Sequence, residues 1–175
     1  MTVQFFQFDP SAAAPPASLP KGVSIRCWTP DLDGYPPCGS RRLSNNFWWA
    51  LTKAGGFARS GFAEIRIECE GIVLHRLIVT PAWHRFPFMS AGDLQIGDVW
   101  TSANARRQQL ARVAIEEAHR RFKSDGTRFW YVADDDNLAS TELARSCGYR
   151  LVAKGRRTRR FGTKLLGQYV IESYV

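Results

Sequence analysis

Arg106, Arg107, Gln108 and Gln109 stand between a run of strand formers and a run with helical spacing, and that position gives them chemistry. Val99 and Trp100 favour a strand, and Ser102-Ala103-Asn104 interrupts it and offers helix N-caps. Leu110, Val113, Ala114, Ala118 and Phe122 then recur at spacings of three and four. The spacing predicts a helix from about Ala105 to Lys123, with the four polar residues in its first turn. A helix start carries free backbone N–H groups and the positive end of the dipole, so cations there are unfavourable by about 0.3–1 kcal/mol. A bound polyanion reverses that sign. Solvated arginines at an ordinary helix start are the plainer reading of the same residues.

The surrounding elements must hold this turn in place. Residues 1–20, ending in SAAAPPASLP, lack periodicity and read as a flexible lead-in, which leaves 21–175 as one domain. Gly22–Thr29 alternates as a strand, and Ser40–Ala54 reads as a helix closed by Gly55-Gly56. That helix carries Phe47, Trp48 and Trp49 together, either as core or as the wall of a cleft. Phe62–Cys69 and Gly71–Thr80 are strands joined by a Glu70-Gly71 hairpin turn. Pro81–Asp93 is an irregular loop with Trp83, His84, Phe86, Phe88 and Met89, and long aromatic loops between strands are often functional.

Leu94–Thr101 is the strand that feeds the polar turn. Beyond the helix, Thr127–Ala133 is β-branched and aromatic, Asn137–Cys147 is a short helix after three acids, and Gly148-Tyr149 opens another strand that runs to about Val152 or Ala153. Thr163–Val175 is the last strand. The hairpin Lys154–Lys164 between these strands holds six basic residues in eleven, either a solvated tip or an attractor for phosphate. The order β, α, β, β, β, α, β, α, β, β predicts an α/β or α+β layered domain with a mixed sheet.

Composition narrows the partners. At 175 residues the chain can bury a proper core, and its 45% hydrophobic content is ordinary for a globular protein. No apolar run is long enough to span a membrane and no secretory signal is visible, so the expected location is cytoplasmic. Cys27, Cys38, Cys69 and Cys147 show no metal-ligand spacing, so no metal is expected. The net charge of +8 favours anionic partners in general.

Two segments then resemble the GNAT superfamily of acyl-CoA-dependent N-acyltransferases. Arg106-Arg107-Gln108-Gln109-Leu110-Ala111 sits where that family's R/Q-x-x-G-x-G/A pyrophosphate loop belongs. Asn137-Leu138-Ala139-Ser140, followed by Cys147-Gly148-Tyr149, is similar to its N-x-x-A/S helix and the step into the next strand. The resemblance implies a mostly antiparallel central sheet of about seven strands flanked by helices. Two departures stand out. The loop's central glycine is Gln109, which suits helical geometry but crowds a pyrophosphate. The tyrosine that many members carry six residues after the asparagine is Leu143, which cannot protonate a thiolate.

The resemblance implies direct transfer of an acetyl group from acetyl-CoA to a primary amine of a small molecule. Asp98 is the candidate base, unless it caps a turn or pairs with an arginine, with Glu64 and Glu68 behind it, and Tyr149, Tyr131 or solvent would replace the missing acid. Backbone N–H groups around Trp100 and Thr101 would hold the acyl and pantetheine groups. Amides from Gln108 to Ala111, with Arg106 and Arg107, would hold the pyrophosphate, and Asn137 and Ser140 the pantetheine arm. Trp48, Trp83 and His84 are the candidate acceptor-binding residues, and the basic hairpin suits an anionic, nucleotide-sugar-like acceptor. The resemblance also admits a homodimer. Two rival classes stay open. One is a GNAT-like domain that binds acyl-CoA or a nucleotide without turnover. The other, less favoured, is a basic nucleic-acid-binding domain, for which no recognition motif is visible.

Overall fold

The structure, a computed structural model, describes residues 2–12, 18–30, 33, 42–158 and 167–175. Its strands are β1 (Thr2–Phe8), β2 (Val23–Trp28), β3 (Ala63–Cys69), β4 (Ile72–Pro81), β5 (Leu94–Thr101), β6 (Phe129–Asp134), β7 (Tyr149–Arg157) and β8 (Tyr169–Tyr174). Its helices are α1 (Arg42–Lys53), α2 (Leu110–Phe122) and α3 (Leu138–Ser146). The eight strands form one sheet in the order β2-β3-β4-β5-β6-β1-β7-β8. Only β5 and β6 run parallel; the other neighbours are antiparallel. The mixed, mostly antiparallel sheet with flanking helices agrees with the sequence reading, with eight strands where about seven were expected.

The extra strand corrects the reading of residues 1–20. Thr2–Phe8 is no lead-in: it lies inside the sheet, paired to β6 on one side and β7 on the other. Val3, Phe5 and Phe6 are fully buried. Strand alternation sends Val3 and Phe5 to one face and Phe6 to the other. Val3 and Phe5 join Phe86, Met89 and Trp130, whereas Phe6 joins the helix-side core. Each buried phenylalanine contributes roughly 1.5–3 kcal/mol.

The sheet separates two layers. On one face, Leu110, Val113, Ala114, Ile115 and Ala118 of α2 and Ala144 of α3 pack on Ile65, Leu77, Ile96 and Tyr131. The other face is covered by the 82–89 loop and by the Trp28–Phe62–Ile78 cluster, on which Trp48 and Trp49 of α1 pack. Glu70 and Gly71 both take positive φ, as the predicted β3–β4 hairpin turn demands. The last strand is described over Tyr169–Tyr174, and β7 runs on to Arg157, so Lys154–Arg157 of the predicted hairpin are strand; residues 159–166, which hold the rest of the hairpin and the predicted start of the last strand, lie outside the described residues.

The feature that positions a site is the short β5–β6 pairing. It spans Leu94↔Phe129, Gln95↔Trp130 and Ile96↔Tyr131 and then stops, although β5 continues to Thr101 and β6 to Asp134. On the other edge of β5, the register to β4 shifts between Arg76 and Ile78. Asp98 takes a left-handed φ of 47° there. This bulge turns β5 away from β6 and opens the sheet.

Candidate active site

The segment after β5 is tighter than a simple strand-to-helix step. A 3-10 turn at Ala103–Ala105 follows Ser102, and α2 starts only at Leu110. Arg106 to Gln109 therefore form the turn before the helix and not its first turn, which corrects the sequence reading. Arg107 (φ 63°) and Gln109 (φ 58°, ψ 12°) are both left-handed, so Gln109 is the N-cap and is not helical. That conformation costs a non-glycine residue about 1–2 kcal/mol. The Gln109 side chain makes no capping hydrogen bond, and no acid stands in the first turn of α2, whose backbone N–H groups have no intrahelical partner.

Two adjoining cavities lie over this turn. One, of about 550 Å³, runs between the start of α2 and α3 and is lined by Arg106, Arg107, Gln109, Leu110, Ala111 and Leu143, among others. The next, of about 420 Å³, is lined by Val99, Trp100, Tyr131, Asn137, Ser140 and Leu143. Thr101, Arg106, Ala139 and Leu143 border both, so they read as one groove. The fold thus brings nine of the ten expected donor-binding residues to a single groove. The exception is Gln108, whose side chain turns back to donate to the Asn104 carbonyl at 3.3 Å. Sequence reasoning missed Arg112, which borders the groove while pairing with Glu116 at 2.9 Å. Its helical position reads equally well as a solvated i,i+4 pair.

Asn137 caps α3 by accepting from the Ser140 backbone N–H at 3.1 Å. The Ser140 hydroxyl lies 2.9 Å from the Tyr131 hydroxyl. Tyr131 is nearly fully buried and burial raises its pKa, so its phenol keeps its proton at neutral pH at the groove wall. Tyr149 is different. It is fully enclosed in the core, its hydroxyl is 2.8 Å from His119 Nε2, and burial drives its pKa far up. It borders neither the groove nor the cavity beside Asp98. The expectation of Tyr149 as an acid is therefore corrected; of the two tyrosines, Tyr131 is at the groove.

On the opposite face of the sheet lies a cavity of about 370 Å³. Gly97 and Asp98 of β5 and Val132 of β6 border it, with Trp48 from α1 and Arg85, Phe86 and Tyr169 from the covering layer. Tyr131 and Val132 are adjacent on β6 and face opposite sides, so the opened β5–β6 seam lies between groove and cavity. Trp83 does not border the cavity. It packs edge-on against Trp48 and Phe57, at 5.2 and 6.0 Å between ring centres, and braces the wall from behind. His84 is exposed, and its carbonyl accepts from Gln168. Glu64 is buried against Arg66 at 2.9 Å, and Glu68 pairs with Arg26 at 3.1 Å. Both carboxylates border a separate cavity on β2 and β3, which removes them as bases for the seam. Among the described residues, no group of His, Cys, Asp or Glu could hold a metal ion. No helix among them is long and apolar enough to cross a membrane.

Residues 28–149 match the acetyltransferase (GNAT) family. No curated protein matches the chain. Among solved structures, a Drosophila protein is similar over 87% of this chain and 48% of its own, with 16% identity and a TM-score of 0.58. A GCN5-related N-acetyltransferase from Sphaerobacter thermophilus is similar over 87% and 49%, with 15% identity and a TM-score of 0.55. One from Kribbella flavida is similar over 86% and 55%, with 16% identity and a TM-score of 0.51. These likenesses are of fold, and the chain spans about half the length of each of these structures.

Proposed function

Because the chain belongs to the GNAT family of acetyltransferases, which use acyl-CoA, we propose that it is an acetyl-CoA-dependent N-acetyltransferase acting on a primary amine of a small molecule. The observation that carries this reading is the opened β5–β6 seam, with a groove on one face and a cavity on the other. The groove suits a long polyanionic donor: Arg106, Arg107 and the free N–H groups at the start of α2 would hold its pyrophosphate. The backbone of Trp100 and Thr101, with Asn137 and Ser140, would hold the pantetheine arm. Acetyl-CoA supplies an acyl group activated as a thioester.

In this reading Asp98 takes the ammonium proton of the acceptor, directly or through one water, so that the amine can attack. Its place at the bulge, bordering the acceptor cavity, is the support. Tyr131 donates its phenolic proton to the departing sulfur, with Ser140 fixing its hydroxyl. Trp48 forms one apolar wall of the acceptor cavity. The nucleotide-sugar form of the acceptor rests on the basic hairpin, where Arg156 pairs with Glu172 at 2.7 Å and residues 159–164 lie outside the described residues.

Mass spectrometry of products formed from acetyl-CoA and a mixed set of primary amines tests this reading. An amine gaining one acetyl group is expected, and Asp98→Asn should lower kcat by about 10²-fold. Leu143 at the groove favours a second reading, a domain that binds acyl-CoA without turnover. Acetyl-CoA at 100 times its Kd should stabilise the protein by about 2.7 kcal/mol in either case. Stabilisation with no acetylated product would establish the second reading; no stabilisation by acetyl-CoA or CoA would remove both.

A further inference from the structure

The acceptor cavity is unevenly charged. Asp98 enters it from β5, whereas Arg85 and Tyr169 enter from the side of β8, four strands across the sheet order. Arg85 is held there by its backbone, since its carbonyl accepts from the Tyr169 N–H at 3.0 Å. Gln168 ties down the neighbouring His84 carbonyl at 2.8 Å. The Arg85 guanidinium lies 5.4 Å from the centre of the Tyr169 ring, and the Arg157 guanidinium lies 5.4 Å from the same ring. Arg85 Nε is buried with no hydrogen-bond partner among the described residues. No carboxylate among the described residues pairs with it, and burial lowers its pKa.

Two cations gathered round one ring, one of them with no carboxylate against it among the described residues, is an arrangement that a bound anion would relieve. A guanidinium fork matches a carboxylate or phosphate in particular. The cavity, at about 370 Å³, is at the small end of ligand sites, which run from roughly 300 to 1,000 Å³.

We propose that Arg85 anchors a compact anionic group, a carboxylate or a phosphate, on an acceptor whose amine is presented to Asp98. The acceptor is then a small zwitterion, with its amine and its anion on one short chain. The inference rests on the acetyltransferase reading for its chemistry, but the anion site is a property of the cavity alone. Losing a charge-assisted bond of this kind costs about 10- to 100-fold in affinity.

The test compares molecules that share an aminoethyl group and differ beyond it: 2-aminoethyl phosphate, β-alanine and n-propylamine, each with homologues of two to five carbons. The wild-type enzyme should favour one of the anionic series over the alkylamines by about tenfold or more in kcat/KM. Arg85→Met should reduce that ratio by about tenfold or more, and Arg85→Lys should restore part of it. The two anionic series separate a carboxylate site from a phosphate site. Equal use of charged and neutral amines by the wild type, or an unchanged ratio in Arg85→Met, overturns the inference and leaves the acetyltransferase reading intact. If the wild type acetylates nothing, that reading fails, and calorimetric binding of 2-aminoethyl phosphate and β-alanine decides the inference. Binding weakened tenfold or more by Arg85→Met upholds it, and no binding to the wild type overturns it. If Arg85→Met does not fold, the ratio measured in Arg85→Lys decides: a value equal to wild type for both series overturns the fork geometry claimed here.

Discussion

At the scale of single residues, geometry separates groups that the sequence treats alike. Tyr131 and Tyr149 are both strand tyrosines, yet one borders the groove beside Ser140 and the other is sealed against His119. Tyr131→Phe should therefore lower kcat by about 10²-fold with little change in the melting temperature. Tyr149→Phe should leave kcat alone and destabilise by about 1–3 kcal/mol, because the half-buried His119 ring nitrogen loses its partner. Steady-state kinetics and thermal melts of the two variants check this split. Gln109 supplies a second residue-scale prediction. At φ 58° a glycine relieves about 1–2 kcal/mol of strain and removes the Cβ that crowds the loop. Gln109→Gly should bind CoA several-fold more tightly, measured by calorimetry, with near-neutral stability because the freed chain entropy offsets the strain. The polar turn itself was legible in the sequence, because a strand, a break and a helical period bracket it. The left-handed backbone was not, since arginine and glutamine give no sign of positive φ. Nor was Arg85, whose partner Tyr169 is distant in sequence and meets it only across the sheet.

At the scale of elements, the seam depends on strands that local pattern reveals unevenly. The strands β2 to β7 were readable from alternation and turn residues, because each is bounded by Gly, Pro or Asp signals. The first strand was hidden by its neighbourhood: Thr2–Phe8 precedes an Ala- and Pro-rich stretch, and its partners β6 and β7 lie more than a hundred residues away. A central strand with both faces covered shows no wet face to give alternation away. Its role can be tested by removing residues 1–12. The deletion should leave β6 and β7 without their shared neighbour and expose the cores that Val3, Phe5 and Phe6 fill. Loss of cooperative unfolding, with dye-accessible apolar surface, is the expected outcome; a variant that melts like the full chain would show that the strand is dispensable. The β7–β8 pair is similarly constrained, since a Cβ on Gly155 would collide with the Val170 carbonyl.

At the scale of the whole molecule, two histidines, His75 buried and His119 half-buried, link the groove and the core to pH. His75 is fully buried on β4, with Nδ1 2.8 Å from the Thr101 hydroxyl and Nε2 without a partner among the described residues. His119 on α2 lies 3.9 Å, ring centre to ring centre, from Phe8 of the N-terminal strand and bonds Tyr149. Burial pushes the pKa of each down to about 4, from an ordinary value of 6.5. Above pH 6.5 both are neutral in folded and unfolded chains, so their contribution is fully present. Between pH 6.5 and 4 the unfolded chain binds protons that the folded chain refuses, and stability falls with the pH. By pH 5 this amounts to about 2 kcal/mol for each histidine, a drop on the order of 10 °C in the melting temperature for a chain of this size. The Glu117 carboxylate, held below its usual range by Arg120 and Arg121, adds a loss in the same direction at still lower pH. Melting curves from pH 7.5 to 4.5 should show a plateau above pH 6.5 and a steep fall beneath it. His119→Gln should flatten the fall by about half. A wild-type melting temperature that holds steady down to pH 5 would mean that these histidines titrate normally in the fold.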